Sequence, residues 1–203
     1  MRLIKSEIEQ LEQRYRATLI NSLAGFRQAV LVGTQSASGA ENLAIFNSLI
    51  HLGANPALFG LISRPDSVPR DTLKNILETK VYTLNFVSSK YYEKAHQTSA
   101  RYASSVSEFD QVGLHSSRLA EYKAPFVQEA DVKMAMTFEQ HIPIALNGTV
   151  MIIGSVQFVE VNGDIVGSDG YVDLAAADVL VSQGLDAYFV AQRIGRLPYA
   201  KPQ

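Results

Sequence analysis

From Leu3 to Ile20, apolar residues recur at helical spacing (Leu3, Ile4, Ile8, Leu11, Tyr15, Leu19, Ile20) with charged residues between them. That period predicts an amphipathic helix needing a partner surface, either the domain itself or a second subunit, and Gly25 closes it. Beyond it the pattern shifts to short apolar runs between turn residues. AVLVGTQ (29–35) reads as a strand, Ser36-Ala37-Ser38-Gly39 as a turn, and ENLAIFNSLIHL (41–52) as an extended hairpin partner. Asn55-Pro56 turns the chain into ALFGLIS (57–63), apolar almost throughout and so expected to be buried on both faces. DTLKNILET (71–79) fits a short helix with Asp71 or Thr72 as N-cap, and VYTLNFV (81–87) has strand composition. Residues 88–105 read as helix and 106–123 as irregular. Strands return at 130–139 and 149–161, and Asn162-Gly163 signals a tight turn after which IVGSDGYVDL continues the ladder. Residues 175–191 read as helix or loop, and GRLPYAKPQ as a tail. The sum is a mainly antiparallel α+β protein with a barrel-like core.

Composition narrows the function classes. At 203 residues and 22.3 kDa the chain can bury a real core, and 47% apolar with 19% charged residues describes a globular protein. A formal charge of −2 gives no general pull toward nucleic acid or an anionic membrane. The absence of cysteine removes disulfides, thiolate nucleophiles and cysteine-ligated metals. The first residues are too charged for a signal peptide and no stretch is apolar enough to span a bilayer, so the cytoplasm is the expected location. Asn147-Gly148-Thr149 then reads as a turn, not as a glycan site.

Several chemistries lack their residues. The four histidines (His51, His96, His115, His141) are scattered, without ligand spacing, so no metal site is expected. There is no G-x-S-x-G elbow, Walker A motif or G-x-G-x-x-G fingerprint. LISRPDSVPRDTLKN (61–75) does carry chemistry. Ser63 and Thr72 offer hydroxyls, Arg64 and Arg70 offer charge and planar donors, and a helix start offers free N–H groups. That set suits a phosphomonoester; the plainer reading is a capped helix beside solvated arginines.

The order of the motifs settles more than any one of them. NLAIFNS (42–48), NPALFGLISRP (55–65), RDTLKNI (70–76) and YTLNFV (82–87) resemble the flavin reductase-like family of FMN-binding split-barrel proteins. VSEFDQVGL (106–114), APFVQEA (124–130), NGTVMIIGSV (147–156) and DGYVDL (169–174) follow in matching order, so the resemblance covers about residues 21–200. It implies a six-stranded antiparallel Greek-key split barrel over residues 21–203, with residues 1–20 as a helical extension, usually as a homodimer with FMN near the subunit interface. The backbone of Asn42, Leu43, Ala44, Ile45 and Phe46 would flank the isoalloxazine, and Asn47 and Ser48 its polar edge or the ribityl chain. Ser63, Arg64, Arg70 and Thr72 would receive the phosphate, with Asp71 fixing an arginine or capping the helix. Ser107, Glu108 and Phe109, with His96 and Tyr102, would fall close to the flavin or the partner subunit.

Departures from the family pattern mark what the resemblance leaves open. Gly154-Ser155-Val156 stands where many relatives have Gly-Glu-Val, and MAM (134–136) where some have a cysteine. The expected function is an FMN-binding oxidoreductase passing electrons from NAD(P)H or another donor to flavin or a small acceptor. The alternatives are a non-catalytic FMN carrier or electron-transfer protein, or a dimeric barrel with an empty site. His96 is the one candidate catalytic side chain. No nucleic acid or membrane partner is expected.

Overall fold

Lys5–Gln10 (α1) and Gln13–Leu23 (α2) stand where one continuous helix was expected. The break has a local cause. The Glu12 carboxylate accepts the Tyr15 N–H at 2.9 Å and so caps a new helix. The computed structural model describes residues 1–65, 70–119 and 122–202. No described helix is long and apolar enough to cross a membrane.

After Arg27–Gln28 (β1), the chain runs through Val30–Gln35 (β2), Glu41–Phe46 (β3), Ile50–Ala54 (β4) and Ala57–Ser63 (β5). Asp71–Thr79 (α3), Val81–Phe86 (β6), Tyr92–Gln97 (α4) and Glu108–Val112 (α5) follow. Next come Ser116–Ser117 (β7), Phe126–Val127 (β8), Val132–Ile144 (β9) and Thr149–Val161 (β10), then Leu180–Gln183 (β11) and Ala187–Val190 (β12). The main sheet has the order β3-β2-β6-β9-β10-β5-β4, antiparallel throughout. It has seven strands where six were expected, because the 41–52 run is not one strand. It breaks at Asn47–Leu49, where the Ser48 hydroxyl donates to Ile62 O at 3.0 Å and accepts from Ile62 N–H at 3.1 Å. That pair ties the chain to β5 and carries it from one edge strand to the other. β3 and β4 thus form the two lips of a rolled, unclosed sheet.

Alternation along β2 divides the core. Val30 and Val32 face the barrel interior with Leu61, Tyr82, Leu84, Met136 and Ile152. Ala29 and Leu31 face outward and are covered by Leu43 and by Tyr91, Ala95, Phe109 and Val112 from the α4–α5 region. β5 is exposed at Ala57 and buried only toward its end, so the expectation of two buried faces holds for that half alone.

Other expectations need correction. The helix expected over 88–105 is only α4, ended by Thr98, whose hydroxyl donates to Ala95 O at 2.7 Å and accepts from Ile45 N–H at 3.0 Å. α5 lies in the stretch expected to be irregular. Asn162-Gly163 opens a 3₁₀ turn (Gly163–Ile165), and within 165–174 the one bridge is Val166 with Val172, so this segment does not continue the ladder. The segment expected as helix or loop after 175 forms the β11–β12 hairpin, which pairs with β1 in a second, three-stranded sheet.

Candidate functional site

α3 begins at the corner singled out by the sequence. Arg70 precedes its first turn in extended backbone (φ −126°), and its side chain makes no capping hydrogen bond. The connection at 66–69 lies outside the described residues. The cap expected from Asp71 or Thr72 is therefore not made, because both lie inside the helix. Asp71 instead accepts the Ser104 hydroxyl, at 3.0 and 3.1 Å on its two oxygens. Nor does it clamp an arginine: neither Arg64 nor Arg70 forms an ion pair among the described residues. Thr72 is buried, and its hydroxyl accepts from Asn42 Nδ2 at 3.1 Å. The same amide donates to Thr34 Oγ1, as does Asn75 Nδ2, each at 3.1 Å. A hydroxyl that accepts in this way keeps its own proton free to donate. Ser63 Oγ donates to Arg64 O at 3.3 Å and Arg70 Nε to Pro65 O at 3.4 Å. The two hydroxyls, two guanidinium groups without an ion pair among the described residues and a helix start form a corner that suits a phosphate-like dianion.

β3 borders this corner as an edge strand, and its outward N–H groups need partners. Leu43 N–H donates to Glu108 Oε2 at 2.9 Å and Ile45 N–H to Thr98 Oγ1. Burial is the chief cause holding the Glu108 carboxyl above its ordinary range; the Leu43 N–H pulls it down and the Asp71 charge pushes it further up. Asn42, Ala44 and Phe46, at alternate positions of the strand, border a cavity of about 900 Å³. A smaller pocket of about 190 Å³ adjoins it, sharing Asn42, Asp71, Ser104 and Glu108.

Distant parts of the chain complete the cavity: Ala17 and Asn21 of α2, Arg27 of β1, and Ser182, Leu185 and Tyr188 of the β11–β12 hairpin. Tyr188 Oη lies 2.8 Å from His96 Nδ1, with the two rings edge-to-face at 5.7 Å. Burial pushes the Tyr188 phenol up, with Asp186 adding to it.

All the expected cofactor-binding residues except Leu43 border the cavity. The Leu43 side chain is in the core, and its part at the site is its backbone. Ser48 spends its hydroxyl on Ile62, and Asn47 Nδ2 donates to Gly184 O at 2.8 Å, so both hold the wall together. His96 does not border the cavity and meets it through Tyr188. Tyr102 and Glu108 do border it; Phe109 is a core residue, and the Ser107 hydroxyl is buried without a partner. Sequence reasoning missed Arg27, Arg101, Ser182 and Tyr188. Only recognition of the terminal hairpin, whose turn is Gly184-Leu185-Asp186, could have brought Arg27 and Ser182 together.

A family model described as "Flavin reductase like domain" matches residues 24–175. Among solved structures, a protein from Shewanella frigidimarina described as a flavin reductase with split barrel domain superposes with a TM-score of 0.95. It is 46% identical, and the alignment covers 98% of this chain and 100% of that one. Nitrilotriacetate monooxygenase component B from Bacillus cereus shares the fold, with a TM-score of 0.86 and 19% identity over 97% of this chain and 98% of its own. An uncharacterized protein from Aquifex aeolicus is 30% identical over 115 residues, 56% of this chain; the match spans 59% of that relative's length.

Proposed function

The chain belongs to the flavin reductase like family, and from that membership and the cavity's chemistry we propose that it is an FMN-binding oxidoreductase. One observation carries the choice of FMN. The corner of Ser63, Arg64, Arg70 and Thr72 offers donors and positive charge with no internal anion among the described residues to consume them. A phosphate is the group that such a corner fits. The residues of β3, tied to this corner by the Asn42–Thr72 hydrogen bond, would flank the ring, and a cavity of about 900 Å³ has room for a flavin together with part of a second substrate. Bound there, the flavin would supply electron transfer between a reduced donor, proposed to be NAD(P)H, and flavin or a small acceptor.

The chain's own residues have narrower tasks. Arg64, Arg70 and the α3 first turn hold the phosphate, while Asn42 fixes Thr72 so that its hydroxyl proton points away from the Asn42 amide. Glu108 and Thr98 occupy the outward N–H groups of β3 and so hold its backbone in place beside the ring. His96 orients the Tyr188 phenol. We also propose that the protein is a homodimer, a reading supported by the apolar side chains exposed on α2 and on β12.

Titration with FMN, followed by absorbance and fluorescence, tests the assignment: a saturable flavin spectrum is expected, and none after saturation would refute it. Joint Arg64→Ala and Arg70→Ala substitution is expected to weaken FMN by about a hundredfold, from two lost charge-assisted contacts, while riboflavin is spared. Equal weakening of both would remove the arginines from the phosphate. Steady-state oxidation of NADH and NADPH with free FMN separates a reductase from a carrier.

A further inference from the structure

Arg27, Ser182 and Tyr188 stand in a row across three strands. Arg27 is the register partner of Ser182 between β1 and β11, and Ser182 is the partner of Tyr188 between β11 and β12. Residues directly opposed on neighbouring strands share one face of the sheet. All three border the cavity, and Arg27 shares the Gly184 carbonyl with Asn47 of the cavity wall. Arg27 donates from Nη2 to Gly184 O at 3.2 Å, and no carboxylate pairs with it among the described residues. Its Nε and the Ser182 hydroxyl are both buried without a hydrogen-bond partner there, and Ser182 as a whole is 3% exposed. Buried polar groups are rarely left in that state. The adjoining wall is Ala17 and Asn21 of α2, Leu185 and the Tyr188 ring, which offers an aromatic face.

We propose that this row is a carboxylate subsite for the second substrate, a small aromatic acid. Its carboxylate would be held by Arg27 and Ser182, and its ring would lie against Tyr188 on the side toward β3. The planar guanidinium fork matches a carboxylate. One cation and one hydroxyl balance a monoanion, whereas the dianion of a phosphate is better matched by the two arginines and helix start of the α3 corner. Naming the ligand as second substrate rests on the flavin reading; the anion site itself does not.

Isothermal titration of the full chain with sodium benzoate, with and without saturating FMN, reads the site directly. Benzoate is expected to bind, with benzamide (its neutral counterpart) and inorganic phosphate at least about tenfold weaker. Arg27→Gln is expected to weaken benzoate by about tenfold or more and Ser182→Ala by roughly threefold, with riboflavin affinity unchanged in both. Should Arg27→Gln fail to fold, Arg27→Lys and Ser182→Ala carry the same test. The proposal is overturned if benzoate gives no heat, if benzamide or phosphate binds as tightly, or if riboflavin affinity falls in parallel. That last result would assign Arg27 to the flavin. A wild-type chain that binds benzoate but never FMN refutes the flavin reading and leaves the anion site standing.

Discussion

Glu108 shows how one side chain can serve the backbone of another element. It lies in a segment of sequence with no helical period, yet its carboxylate occupies an outward N–H of the edge strand that borders the cavity. Burial dominates its titration and keeps the folded-state pKa above the unfolded 4.5. The native state therefore binds more proton than the unfolded chain over the window that opens near 4.5. Stability from this group is fully present below that window and is lost as the pH rises through the folded value. Glu108→Gln keeps an acceptor for Leu43 N–H and removes the titration. Urea unfolding at a series of pH values from about 4 to 7 is expected to show the wild type losing more stability than Glu108→Gln as pH rises. Parallel curves would show that folding does not raise the Glu108 pKa. At this scale the sequence revealed donor types but not their partners. Ser63, Arg64, Arg70 and Thr72 could be grouped because they are close along the chain. Asn42 on Thr72, Ser104 on Asp71 and Glu108 on Leu43 are pairings across the fold, which residue spacing does not encode.

Elements were legible in proportion to the length of their period. β2, β5, β6 and β10 were readable because each carries an apolar run or a clear alternation bounded by turn residues. α5 has five residues and β11 and β12 four each, too short for either period to repeat, and their stability comes from packing that only the folded chain supplies. Gly154, the first residue of the Gly154-Ser155-Val156 triplet, has a reason within the fold. A Cβ on Gly154 would run into the Tyr82 hydroxyl and lie 2.9 Å from Thr137 O, so β10 approaches the core tyrosine of β6 at a point where a side chain has no room. Gly154→Ala is expected to cost about 1–3 kcal/mol by overpacking. The Tyr82 hydroxyl, in turn, is buried without a partner among the described residues, and burial pushes its phenol far up. Tyr82→Phe should accordingly leave stability unchanged or raise it by about 1 kcal/mol. Chemical denaturation of both variants decides this: a marked loss in Tyr82→Phe would reveal a partner for the hydroxyl.

For the whole molecule, what the chain leaves uncovered suggests how it assembles. α2 puts Ala17 and Asn21 at the cavity, yet Ile20 and Leu23 of the same helix are exposed, Leu23 to 74%. Phe26, 63% exposed, packs edge-to-face with Phe189 at 5.0 Å on the neighbouring sheet, and Phe189 and Val190 are themselves exposed. The amphipathic period of the first residues called for a partner surface, and the described domain covers only part of that apolar side. Large side chains grouped in this way are more than a monomer usually leaves to water, and a twofold dimer burying the same patch on both copies is the simplest cover. Light scattering on a sizing column is expected to give twice the chain mass for the wild type. Leu23→Glu combined with Phe26→Glu should shift it to the monomer mass, because two carboxylates would be buried per patch without a counter-charge. Both positions are already exposed within one chain, so the monomeric variant should remain folded by far-ultraviolet circular dichroism. A variant that stays dimeric would place the contact elsewhere, and an unfolded one would mean that α2 depends on a contact this face does not display.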